Sequence, residues 1–162
     1  MERDLLGEVK TEYFERFKNA GYFSYRQALA TVKEFQPSDP SDPERRFAND
    51  LHATIADKLG LEDYSALRFY TAATHTHLDI LHGIDGFFEL QYSLDNGVSM
   101  VTLDVTSFPK ESWKADVLIT VPDEGFDLND PEDKKRYRQC IERAANETTA
   151  LLQERSQKPR KM

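Results

Sequence analysis

The chain has one cysteine, Cys140, among 162 residues. No disulfide can close within it, and no thiolate zinc cluster can be built from it. Glycine and proline are sparse, seven of each, which excludes collagen-like and Pro/Gly-rich disordered chains. No apolar run approaches the roughly 18 residues that suggest a membrane-spanning helix. The first residues, MERDLLGEVK, carry acids where a signal peptide carries basic residues and then an apolar stretch. Together these absences predict a cytoplasmic protein with no membrane partner. Positive charge is also short: 21 Lys+Arg against 29 Asp+Glu give a net charge of −8. That excludes a protein that coats nucleic acid nonspecifically, which needs a net basic face. It permits a metal-dependent site, because carboxylates gathered around a cation raise the acidic count.

What is present suffices for one domain. The chain is 39% hydrophobic. A chain of this length buries roughly 70% of its unfolded surface without needing cross-links. It is too short for a (β/α)₈ barrel, which needs about 200 residues.

Leu5, Leu6, Val9, Tyr13, Phe17 and Ala20 recur at helical spacing and predict one amphipathic helix ending at Gly21. Ser24-Tyr-Arg-Gln27 reads as a capping box opening a second helix, stopped before Pro37. Residues 1–36 form a helical N-terminal appendage on this reading. Its Leu5/Leu6 and Phe14/Phe17 pairs offer a face either for a homodimer or other partner, or for packing on the core. A Pro-rich linker follows. Residues 41–155 form the core domain, and 156–162 a basic tail.

Within the core, Ser41-Asp-Pro-Glu44 reads as a helix start, followed by Phe47, Leu51, Ile55 and Leu59, with Gly60 as the C-terminal cap. Strands are expected over 67–70, 84–92 and 98–106, and over 115–121 as a strand buried on both faces. Asp95-Asn96-Gly97 is a hairpin signal. Asp130-Pro131 opens a last helix with Tyr137, Ile141, Ala144 and Leu152 on its buried stripe. The order predicts an α/β (α+β) domain with a small mixed sheet flanked by helices.

Two clusters could carry chemistry. The first holds His75, His77, Asp79, His82 and Asp85 within eleven residues. His-x-His at a strand end puts two imidazoles on one side, and an aspartate could complete a metal site. The alternative is a loop whose histidines cap turns. The second is carboxylate-based. A two-residue Asn96-Gly97 turn places Glu89 opposite Asp104 and Asp85 opposite Phe108, so Asp85, Glu89 and Asp104 share a sheet face. Oxygens from neighbouring strands suit Mg²⁺ or Mn²⁺. Lys110 and Lys114 follow closely and could position a water or a phosphate. Trp113, the sole tryptophan, reads either as core or as a surface stacking platform.

The strand Gly83-Ile-Asp85-Gly-Phe-Phe-Glu89, the strand Val101-Thr-Leu-Asp104-Val-Thr106 and the acid Glu44 at a helix start resemble the PD-(D/E)XK nuclease superfamily, in particular members of phage and mobile-element origin. The match covers about residues 44–121. It implies a restriction-endonuclease-like fold and a metal-dependent DNA endonuclease. Asp85, Asp104 and Glu44 would hold Mg²⁺ or Mn²⁺, and Lys110 would be catalytic beside them. Thr106 stands where the family has its lysine, so Lys110 would supply the amine. The segment before Val117 is also shorter than the family's helix there. Two other functions stay open: a nuclease-like accessory or protein-interaction protein without activity, and a histidine-based metallohydrolase built on His75, His77 and Asp79.

Overall fold

The computed structural model describes residues 1–93, 97–108 and 110–157. Their helices are α1 (Glu2–Leu6), α2 (Glu12–Phe17), α3 (Tyr25–Glu34), α4 (Arg46–Lys58), α5 (His77–His82) and α6 (Pro131–Gln157). Their strands are β1 (Leu67–Thr71), β2 (Gly86–Gln91), β3 (Val98–Thr106) and β4 (Val117–Thr120). The strands form one mixed sheet in the order β1-β2-β3-β4. The first two pairings are antiparallel and the last is parallel.

Strand side chains alternate between faces, and both faces of this sheet are covered. Phe69, Phe88, Val101, Leu103 and Val117 face Phe47, Leu51 and Ile55 of α4 and Ile141 and Leu152 of α6. Tyr70 and Phe87 point the other way, against Val9, Tyr13, Ala28, Val32 and Leu78. The N-terminal helices therefore supply a layer of the core. Each fully buried Leu, Ile or Phe contributes about 1.5–3 kcal/mol, so this second layer is a substantial share of the fold's stability.

Local chemistry sets the boundaries. The capping box at Ser24 is present, with Ser24 Oγ accepting from Gln27 N and Gln27 Oε1 from Ser24 N. Gly60 lies at φ +68°, with Gly60 N–H donating to Asp57 O and Leu61 N–H to Ala56 O. That pair of bonds is a Schellman ending for α4. Pro131 opens α6 at the first helical position, where its missing N–H costs nothing.

Several expectations need correction. The single helix predicted to end at Gly21 is two short helices. Gly7, at φ +86°, breaks it, and its carbonyl accepts from Thr71 Oγ1 at 2.7 Å. Tertiary bonding to β1 outweighs helical spacing there. The helix predicted from Ser41 starts at Arg46 instead. Ser41 N and Oγ both donate to Asp39 Oδ1, in a turn that competes with a helix cap. The Pro-rich segment is not a free linker. Pro40 O accepts from Phe69 N, and Gln36 exchanges two bonds with the Thr71 backbone. It thereby covers the outer edge of β1. β4 buries Val117 and Ile119 but exposes Thr120 and half-buries Leu118, because it is an edge strand.

The β2–β3 register is shifted by four residues from the expected one. Glu89 faces Met100, not Asp104. The ladder ends where Tyr92 N–H donates to Gly97 O, so the connection is longer than a two-residue turn. Asp95 and Asn96 of the expected turn lie outside the described residues.

Two features pin this sheet, a close approach at Gly86 and a clamp by Asp116 and Arg155. A Cβ on Gly86 would stand 2.9 Å from Phe69 Cζ and 3.1 Å from Tyr70 O. Gly86→Ala is expected to cost about 1–3 kcal/mol by overpacking, read as a lower urea midpoint at unchanged slope. β4 is shorter than β3, which leaves the first part of β3 without a strand partner on that side. Asp116 Oδ2 accepts from Thr102 N at 2.9 Å, and Arg155 of α6 donates to both Asp116 oxygens and to Met100 O. Arg155→Ala removes this bidentate clamp. It is expected to cost about 1–2 kcal/mol, measured by the same titration.

Candidate functional site

The register shift decides the site. The observed ladder ends at Gly86↔Leu103, and Asp85 and Asp104 are the next residues beyond that pair on the two strands. Asp85 N donates to Leu103 O at 2.8 Å, and Asp85 Oδ2 accepts from Val105 N at 2.8 Å. Asp85 is 4% exposed and Asp104 7%. Both open into a cleft of about 350 Å³ that is also lined by Asp79, Gly83, Thr106, Phe108 and Lys110. The Lys110 amine reaches back to Asp104 Oδ2 at 2.8 Å. The structure therefore brings three of the four expected site residues, Asp85, Asp104 and Lys110, into one cleft.

Glu44 is not among them. It is exposed on the segment before α4 and lines a different cleft, with Gly7, Pro37 and Thr71. Glu89 shares the face of Asp85 but pairs with Lys33 at 2.8 Å. Thr106 Oγ1 accepts from Phe108 N and donates to Phe108 O, both at 3.1 Å, so it shapes the turn that carries Lys110.

Glu2 of α1 also lines the cleft, and the other carboxylate that the strand-based reading of this site left out is Asp79. It sits on α5, whose N-cap is Thr76 and whose end is Gly83 in the left-handed conformation. Thr76-His-Leu-Asp79 is a Thr-x-x-acid signature of a helix start, and that signal was present in the sequence. Asp79 accepts from His75 N at 2.7 Å and couples electrostatically to Asp85.

The histidines do not converge. His77 Nδ1 lies 2.6 Å from Tyr13 Oη, and its ring stacks on Phe23 at 4.0 Å. His82 Nε2 bonds to Phe23 O at 3.1 Å. His75 is exposed, at φ +70°. His77 and His82 thus tie α5 to the N-terminal helices, as turn-capping and packing groups do.

The electrostatics single out Asp85. Burial pushes its carboxyl up to about 8; the Val105 N–H opposes the shift, and the nearby Asp79 and Asp104 add to it. A buried acid flanked by two more holds its proton unless a positive charge enters. Among the described residues no three His, Cys, Asp or Glu side chains form a ready-made metal cage. The oxygen-only donor set of Asp85 and Asp104 nevertheless fits a hard divalent cation. Such an ion binds through one or two carboxylates and keeps several waters. It would offset the burial, and the repulsion from Asp79 and Asp104, that raise Asp85.

No helix among the described residues is long and apolar enough to cross a membrane. Comparison with protein-family models, with curated proteins and with solved structures gives no significant match.

Proposed function

We propose that this chain is a metal-dependent nuclease hydrolysing phosphodiester bonds, with a restriction-endonuclease-like core and the PD-(D/E)XK arrangement suggested by its sequence. The observation that carries the reading is the meeting of Asp85, Asp104 and Lys110 in one cleft. Lys110 arrives there from outside the motif position that Thr106 occupies.

Asp85 and Asp104 would hold Mg²⁺ or Mn²⁺. The bound ion supplies a water of lowered pKa and charge stabilisation at the phosphate. The residues do the rest. Asp85 and Asp104 would fix where the ion, and through it a phosphate, can sit. Lys110, already 2.8 Å from Asp104, is placed to donate hydrogen bonds to the attacking water or to a phosphate oxygen. In the reaction the water oxygen would form a bond to phosphorus as one P–O ester bond breaks. The attacking water would release one proton to solvent, and the leaving oxygen would take one up from solvent or from Lys110, which solvent would then reprotonate, so that one water is consumed overall.

Supercoiled plasmid or single-stranded circular DNA incubated with Mn²⁺ is expected to be cut, and EDTA is expected to stop it. If both stay intact over hours with Mg²⁺ and with Mn²⁺, the reading fails. The occupation of the motif position by Thr106 then favours a nuclease-like accessory protein without activity.

A further inference from the structure

Beside the cleft, the connection between β3 and β4 spans residues 107–116 and carries two large exposed rings. Phe108 is 69% exposed and lines the cleft itself; Trp113 is 46% exposed. Exposed aromatics scattered singly are ordinary. These two share one short connection with Lys110 and Lys114. Phe108 is not on a loose tip, because its backbone N and O both bond Thr106 Oγ1. The Lys114 stem lies over Gly83, a residue of the cleft wall. Phe108 and Lys110 thus line the cleft, the Lys114 stem lies over its wall, and Trp113 adjoins Lys114 in the chain.

We propose that this rim is a stacking platform for unpaired nucleobases, and that the cleft takes single-stranded rather than duplex DNA. The proposal rests on the nuclease reading for the chemistry, but not for the binding. Aromatic side chains beside a few cations bind single strands, because an unpaired base exposes its π-face and a paired one hides it. Both modes use phosphate contacts, but a duplex carries the denser charge and offers no free base face to stack, so a chain with net charge −8 and few local cations is the worse supplied for it. The cleft volume of about 350 Å³ is at the small end of ligand pockets, which run from about 300 Å³. Its carboxylates lie deep, so an extended strand reaches them more readily than a rigid double helix does.

Trp113 is the sole tryptophan, which makes the test direct. A twelve-nucleotide thymidylate strand and a hairpin duplex are each titrated into the full chain at low salt, with EDTA and again with Ca²⁺, while Trp113 emission is followed. The single strand is expected to quench that emission and to bind at least about tenfold tighter than the hairpin. Phe108→Ala is expected to weaken single-strand binding about 5- to 150-fold, the range for loss of one stacking ring. Tyr64→Ala removes an exposed ring that precedes β1, at the far end of the sheet from Asp85, and is expected to leave binding unchanged. Hairpin binding as tight as single-strand binding overturns the proposal. So does unchanged emission together with a neutral Phe108→Ala in both buffers. Cleavage of plasmid with a neutral Phe108→Ala leaves the nuclease standing and removes the platform. Phe108-dependent single-strand binding without any cleavage does the reverse.

Discussion

Asp104→Asn is expected to abolish phosphodiester cleavage, with a rate loss of about a thousandfold or more, equivalent to roughly 4 kcal/mol of barrier. The melting transition should survive. Asp104 is buried at the cleft, and its described side-chain partner is Lys110. The neutral amide keeps the volume and an oxygen acceptor for that lysine, but it removes the negative charge that a divalent ion needs. Lys110→Ala is expected to cost about 10²–10³ in rate, the usual loss of one preorganised donor at a developing charge. Divalent-ion binding measured by calorimetry should persist in Lys110→Ala and be lost in Asp104→Asn. A companion change tests the displaced lysine. Residue 106 lies two positions beyond Asp104 on the same sheet face, so Thr106→Lys combined with Lys110→Ala should recover part of the rate. Full activity in Lys110→Ala would remove that residue from the mechanism.

The second large effect is on stability and its pH dependence. Asp85 has a folded-state pKa raised from the ordinary carboxylate value to about 8, chiefly by burial. Between those values the native state holds a proton that the unfolded chain has released. The native state then binds more protons, so stability falls as pH rises. Asp85's favourable share is fully present below about pH 4 and is lost as pH rises through about 8. Asp85→Asn removes the titration while keeping an oxygen to accept from Val105 N. It is expected to stabilise the metal-free protein at pH 8 by on the order of 2 kcal/mol, and to add little near pH 4. Calorimetric melting from pH 4.5 to 8.5 reads this as two curves that diverge with pH. Parallel curves would show that Asp85 is not the strained acid. A divalent ion at ten times its dissociation constant should return about 1.4 kcal/mol to the wild type, and nothing to Asp85→Asn. A stabilising change that destroys activity is the pattern expected of a residue kept for function.

Much of the fold was legible. The Ser24 capping box, the Gly60 ending, Pro131 at the start of α6 and the span of β3 all depend on local chemistry, and local chemistry is written in consecutive residues. Asp85, Asp104 and Lys110 were legible as chemical types. Their convergence was expected from a register that the structure shifts by four residues. The shift preserves which face each side chain takes, because four is an even step along a strand. That parity is why Asp85 and Asp104 share a face under either register. The sequence could not say that the two acids are neighbours, because the length of the connection after Tyr92 sets that.

The sequence by itself determined the composition limits, the residue types of the site and their placement on alternating strand faces, since these follow from chain chemistry and a period of two. Only the tertiary structure decided the rest. Gly7 breaks the first helix because its carbonyl is claimed by Thr71, and the Pro-rich segment becomes the cover of β1. Glu44 stays outside the cleft and Asp79 enters it. Each of these depends on contacts between residues far apart in the chain, where packing and hydrogen bonding outweigh local preference.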